Sequence, residues 1–411
     1  MAAETPVRAA AASVETMSDT GSEWMVIDDE GSKPKAEAKT GLDQDSELDL
    51  CFICDCTGSM GSYIRAAQDN IQSIVSKIGH HGAKVRFGLI SYRDHPPQEK
   101  TYVTQVHPFT EDLEVMRGYV NTMKAHGGGD GPEAVTAALA DAFNLPWRPN
   151  ATKICVLIAD APPHGLEPSG DGFPNGDPEG RDPLEIVRNM TVHGITCYTV
   201  GCEPALGAYQ FARDFFCTVA EVTGGQAVAL SSAAMLADVI INGSAEELAL
   251  AKLQRQVEEE VLKVQLEARK DGKDISTEAS VNAAVANLHS RGFKTVQMDT
   301  DGRMENATRA HWGDVREKKS LASVKADLGK FATVPTRGAV EHRTMPHGRG
   351  IAMSVMAMAG VAPYEGAAVP AAPVTAPAAS SASCNHLKTD LISTEQVSRI
   401  VQRAQCQDRL L

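Results

Sequence analysis

Between residues 48 and 242, apolar runs of strand length alternate with stretches whose apolar residues recur every three or four positions. The run 48–54 (Leu-Asp-Leu-Cys-Phe-Ile-Cys) suits a buried parallel strand, and Ile64, Ile71, Ile74, Val75 and Ile78 then mark one face of a helix. The pattern predicts further strands near 85–92, 101–109, 152–159, 195–200 and 226–230. It predicts helices over 112–123, 133–143, 183–192, 209–223 and 233–241. Alternation of this kind specifies an α/β domain with a mostly parallel central sheet flanked by helices.

Outside that region the pattern changes. Residues 1–46 are rich in Ala, Ser, Thr and acids and predict a disordered acidic arm. The organisation expected is an α/β domain over 47–243, a charged, mainly helical extension over 244–350, and an Ala/Pro-rich linker over 351–385. A short amphipathic helix within 386–411 completes it.

Candidate chemistry gathers where strands end. Asp55, Thr57 and Ser59 close the first strand, Asp160 closes the strand beginning at Thr152, and Asp130 and Glu133 flank Pro132 after the triplet Gly127-Gly128-Gly129. The carboxyl edge of a parallel sheet is where such folds bind ligands. Donors made only of oxygen suit a hard cation such as Mg²⁺, with Mn²⁺ or Ca²⁺ as alternatives. Helix capping by Thr57, Ser59 and Asp130 is the plainer reading, but three separate loops agree on one place.

These residues resemble the von Willebrand factor A domain with its metal-ion-dependent adhesion site, whose pattern is Asp-x-Ser-x-Ser, a Thr in a glycine-rich loop, and an Asp ending the fourth strand. Asp55-x-Thr57-x-Ser59 and Asp160 match. Asp130 stands where Thr is usual, and Asp130-x-Pro132-Glu133 resembles the corresponding loop in the A domains of integrin β-subunits. The resemblance implies a three-layer fold and a metal held by Asp55, Thr57, Ser59, Asp160 and either Asp130 or Glu133. Segments such as 92–96 and 160–165 are most similar to the intracellular A domains attached to α-kinases. No comparable kinase Cys/His cluster follows residue 244, so kinase activity is not expected to carry over.

Composition narrows the compartment and the partners. The 39 basic and 53 acidic residues leave a formal net charge of −14, which argues against nucleic-acid binding through phosphate neutralisation. Nine cysteines, several inside expected strands, point to a reduced, cytoplasmic setting. Neither a secretory signal nor a transmembrane segment is expected. Cys51, Cys54 and Cys56 tempt a zinc reading, yet strand alternation sends Cys51 to the opposite face from the other two.

Other features have two readings each. Arg93, Asp94 and His95 follow a strand on the metal-bearing edge and either contact a partner or bind the turn into the next strand. Asp171 and Asp177 lie in the long loop 161–181, either as an accessory Ca²⁺ position or, more plainly, as a solvated loop. Trp24 and Ile27, flanked by acids in the arm, resemble the motif that binds ubiquitin-like autophagosome proteins by adding a strand to a sheet edge. The function expected is a non-enzymatic, Mg²⁺-loaded module that captures an acidic residue of a protein partner. A selective autophagy adaptor using Trp24 and Ile27 is one alternative; a Mg²⁺-dependent phosphoryl-transfer enzyme or kinase-associated regulator is the other.

Overall fold

The computed structural model describes residues 47–79, 84–167, 169–299, 304, 320–328 and 386–407. The arm with Trp24 and Ile27, and the linker expected over 351–385, lie outside the described residues.

Six strands form the main sheet: β1 (Glu47–Asp55), β2 (Lys84–Tyr92), β3 (Thr104–Thr110), β4 (Thr152–Ala159), β5 (Ile195–Cys202) and β6 (Ala227–Leu230). Their order is β3-β2-β1-β4-β5-β6. All neighbours run parallel except β3, which pairs antiparallel with β2 at one edge. The direction of winding reverses between β1 and β4, and that switch point is the ligand-binding position of open α/β sheets.

Both faces of the sheet are buried. Cys51 and Ile53 of β1, with Ile90, Tyr92, Cys155 and Leu157, pack under α3 (Val135–Phe143), α4 (Pro183–Val192) and α5 (Ala212–Thr223). Leu48, Leu50, Phe52 and Cys54, with Phe87, Leu89, Ile154 and Val156, pack under α1 (Gly61–Gly79), α2 (Leu113–Thr122) and the start of α6 (Leu236–Lys270). The three-layer architecture is the expected one. It also separates Cys51 from Cys54 and Cys56, so the three thiols cannot hold one metal.

Helix starts shift where loops claim the backbone. The helix expected from residue 133 begins at Val135, because the Glu133 amide donates to Pro162 O (2.9 Å) and the Ala134 amide to Arg93 O (3.0 Å). The helix expected from 209 begins at Ala212, because Glu167 accepts from the amides of Gln210 and Phe211. The strand expected from 101 starts at Thr104, and one further bond in the same register, from the Arg93 amide to Val103 O (2.9 Å), precedes it.

Two departures are larger. The boundary expected at 243/244 falls inside α6, which runs unbroken for 35 residues. Its first half covers the sheet through Val239, Ile240 and Leu248. Its second half turns Leu250, Val257, Val261 and Val264 into another core. Gly243 lets the helix approach β5, since a Cβ there would stand 3.1 Å from the Tyr198 ring. That further core is closed by α7 (Thr277–Ser290) and α9 (Thr394–Cys406), while α8 (Leu321–Leu328) packs Leu321 and Val324 against the first sheet face. The expected short carboxyl-terminal helix is present as α9, but it is preceded by an unexpected strand. β7 (Lys294–Asp299) pairs antiparallel with β8 (His386–Leu391). Their residues are too polar for the apolar pattern to mark them as strands.

Candidate metal centre

Strand alternation and the backbone of three loops bring one set of carboxylates together. Asp55 ends β1, Asp160 follows β4, and these strands are adjacent, Cys54 lying opposite Ile158. The third contribution comes over the top. The His126 amide donates to Cys56 O (3.0 Å) and the Gly58 amide to Gly127 O (3.2 Å), which lays the glycine loop across the turn after β1. Gly127 and Gly128 take φ of +81° and +85°, conformations that L side chains rarely adopt. At Gly128 a Cβ would stand 2.9 Å from Glu133 Oε1 and 3.5 Å from the Thr57 Cβ, so Glu133 and Thr57 face the same small space.

Within the turn, Asp55 Oδ1 accepts from the Thr57 amide (2.8 Å) and hydroxyl (2.7 Å), and the Thr57 and Ser59 hydroxyls lie 3.3 Å apart. Asp55 Oδ2 and Glu133 Oε2 are buried without any hydrogen-bond partner. Asp55 is 0% exposed and Glu133 and Asp160 each 4%, whereas Gly58, Ser59 and Gly128 are exposed and form an open rim. Burial, then the neighbouring Asp160, pushes Asp55 up to about 8. Burial, then Asp55, pushes Glu133 up to about 11. Burial raises Asp160 as well, against a hydrogen bond from Ser59. Three carboxylates held out of water at one point, two with an orphaned oxygen, are costly unless a proton or a cation compensates them. An all-oxygen donor set of this kind fits Mg²⁺.

Asp130, offered by the sequence as an equal to Glu133, lies elsewhere in the loop. Its Oδ2 accepts from the Gly172 amide. Burial, then Asp94, raises it to about 7. Asp94, Asp130 and His164 form a neighbouring group. Neither Asp94 nor His164 was singled out as a ligand from the sequence, because nothing in spacing or period predicts that the loops after β2 and β4 meet.

Arg93, Asp94 and His95 are all buried. Arg93 donates to Cys56 O, Lys124 O and the Thr101 hydroxyl and so ties the turn after β2. Loop 161–181 is not simply solvated. Asp171 accepts from His164 (2.8 Å) and the amides of Gly165 and Phe173. Asp177 pairs with Arg181 (2.9 Å) and His95 (3.3 Å). With those partners, Asp171 and Asp177 serve the loop as internal ties, and the accessory Ca²⁺ reading loses both.

Comparison with known proteins bears on the same region. Residues 49–167 match the sequence profile of the von Willebrand factor A domain. An α-protein kinase of Dictyostelium discoideum, vwkA, is 36% identical over 155 residues, 37% of this chain and 24% of the relative. A protein of Acanthamoeba polyphaga mimivirus named as ariadne-like RING finger is 26% identical over 198 residues, 46% of this chain and 19% of its own length. The chain thus spans about a quarter and a fifth of the curated relatives it matches. Among solved structures, a von Willebrand factor type A protein from Catenulispora acidiphila overlaps 50% of this chain and 43% of its own at TM-score 0.36 and 16% identity. The pilus adhesin SpaC of Lactobacillus rhamnosus GG overlaps 50% and 31% at TM-score 0.39 and 11% identity. Sheet order, strand-end carboxylates and the matched segment agree, and residues 49–167 carry the pattern of a von Willebrand factor A domain.

Proposed function

We propose that this chain is a non-enzymatic protein-binding module whose sheet edge holds Mg²⁺ and uses it to capture an acidic side chain of a partner. The observation that carries the reading is the pair of orphaned, buried oxygens, Asp55 Oδ2 and Glu133 Oε2, beside Asp160 at the switch point of the sheet. Asp55, Thr57, Ser59, Glu133 and Asp160 would hold the ion, directly or through water. The bound ion supplies positive charge that a partner carboxylate can complete.

The protein's own residues do the rest. Thr57 fixes the Asp55 carboxylate through two hydrogen bonds, so that only Oδ2 remains to be offered. The glycine loop holds Glu133 inward without covering Ser59, which leaves the rim accessible. Specificity then falls to the side chains of that rim.

Calorimetry with Mg²⁺ tests the first half: the wild type binds and Asp55→Ala does not, whereas equal titrations would remove the proposal. Crosslinking and affinity purification from cells test the second, with partners recovered by the wild type and lost by Asp160→Ala. Among the described residues no helix is long and apolar enough to cross a membrane. The cytoplasmic setting is part of this proposal. So are the kinase-associated role that the Dictyostelium relative suggests and any contact made through Trp24 and Ile27.

A further inference from the structure

We infer that the rim of the proposed Mg²⁺ site receives an extended acidic peptide segment, in which Arg65, Lys100 and Lys124 bind the carboxylates flanking the one on the metal. The inference rests on the Mg²⁺ reading above and adds to it the chemical class of the partner.

The three cations come from three segments and meet on one flank of the site. Arg65 stands near the start of α1, Lys100 in the loop after β2, and Lys124 just before the glycine loop. All three are exposed. A Cβ on Gly61 would stand 3.5 Å from the Ala125 Cβ and 3.7 Å from Arg65 Nη1, so the guanidinium and the residue after Lys124 share one spot. The backbone on either side of Ala125 is tied to the turn after β1. Lys124 O accepts from Arg93 (2.9 Å), which also donates to Cys56 O (3.3 Å), and the His126 amide donates to the same Cys56 O (3.0 Å). Glu99 packs against Gly127, where a Cβ would collide with its carboxylate, and so holds Lys100 on the same flank.

These charges are not neutralised within the fold. Among the described residues no carboxylate pairs with Arg65, Lys100 or Lys124. Glu99, the acid beside them, is buried and gives its Oε1 to the amides of Lys100 (2.7 Å) and Thr101 (2.8 Å), while its Oε2 lies 3.8 Å from His126 Nδ1. On the flank where Tyr209 donates to Gly131 O (2.8 Å), Arg213 is already held by Glu203 (2.7 Å). A chain with a formal net charge of −14 thus keeps unpaired positive charge beside the place where its buried carboxylates call for a cation.

The chemistry of the rim selects its ligand. A guanidinium grips a carboxylate with two parallel hydrogen bonds, and a lysine ammonium attracts one as a point charge. An extended segment rises about 3.3 Å per residue and sends alternate side chains to one face. Acids two and four residues from the metal-bound one would then lie about 7 and about 13 Å along the rim. Nucleic acid is a poorer match, because its phosphates offer no carboxylate and the chain as a whole repels a long polyanion. Rim charges act chiefly on encounter and selectivity, so their effect is moderate and falls with salt.

The test uses the full chain in saturating Mg²⁺ and two labelled Gly/Ser peptides, one with a single central Glu and one with Glu at every second position, read by fluorescence anisotropy. The acid-rich peptide is expected to bind about tenfold tighter at low salt. That advantage should fade toward about 1 M salt, where the screening length falls to about 3 Å. Combining Arg65→Gln, Lys100→Gln and Lys124→Gln should remove most of it without weakening Mg²⁺ binding by calorimetry, since all three side chains are exposed and none is a proposed ligand of the ion. Equal affinity of the wild type for the two peptides, or an undiminished advantage in the triple variant, would overturn the inference. So would an oligonucleotide of equal charge that binds as tightly as the acid-rich peptide, which would make the patch a general polyanion site. Mg²⁺ titrations separate these failures from failure of the underlying reading: with the rim alone at fault, the wild type still binds Mg²⁺ and Asp55→Ala does not.

Discussion

Glycine 128 shows how much of the site depends on a side chain that is not there. Its φ of +85° and the 2.9 Å that a Cβ would leave to Glu133 Oε1 mean that any substitution strains the loop and displaces a proposed ligand. Gly128→Ala should cost about 1–3 kcal/mol, the usual range for a non-glycine residue held in such a conformation. It should also weaken Mg²⁺ binding although no donor is removed. Urea unfolding and calorimetry read the two effects separately, and unchanged Mg²⁺ affinity would place Glu133 outside the site. The placement of Asp55, Thr57, Ser59 and Asp160 along one sheet edge was legible in the sequence, because a strand's end fixes where its last carboxylate lies. The choice between Asp130 and Glu133 was not. Both sit on one loop within four residues, and the backbone turn at two left-handed glycines sets Glu133 near Thr57 while Asp130 meets the Gly172 amide. The group of Asp94, His164 and Asp171 was less visible still, since it forms only when two loops pack together.

Among the elements, α6 and α9 carry a charged contact that no apolar pattern could disclose. Glu246 and Glu247 of α6 are buried against Arg399 and Arg403 of α9 and Tyr198 of β5. Arg399 also donates to Gly224 O (2.8 Å) and the Tyr198 hydroxyl (2.9 Å), so it joins α9 to the main sheet as well as to α6. Burial opposes the Glu247 carboxylate, but Arg403 and Arg399 outweigh it and hold it below the usual range. Removing one partner of such a group leaves a charge stranded away from water. Arg399→Ala is expected to destabilise the fold by about 3–5 kcal/mol, and Arg403→Ala by less, because its side chain is 12% exposed against 7% for Arg399. Denaturant midpoints at neutral pH would rank the two. The sequence did announce α9 itself: Ser393 and Gln396 form a capping box, and Val397, Ile400, Val401 and Ala404 make one buried stripe.

Taken whole, the A-domain segment and the segments after it are joined across residue 243 by one continuous helix, α6. The second sheet face, the one under α1 and α2, is also covered by the opening turns of α6, and the same helix continues into a core completed by α7 and α9. A fragment ending at 243 should therefore keep far-ultraviolet dichroism, lose near-ultraviolet dichroism and bind a hydrophobic dye, while one ending at 407 should keep both signals and leave the dye unbound. A rigid, dye-free fragment ending at 243 would show the boundary to be real. The apolar rhythm identified the main sheet and its helices because both faces of that sheet are buried. It missed β7 and β8, whose pairing rests on backbone bonds between polar residues such as Lys294, Gln297, Lys388 and Asp390. Closure by distant segments also sets an order of events during synthesis. The strands that frame the carboxylate edge leave the ribosome long before residues 386–407, so a nascent chain can assemble the sheet first. Until those late residues emerge, the far half of α6 has only α7 against its apolar side, and that interval is when a chaperone has most to bind.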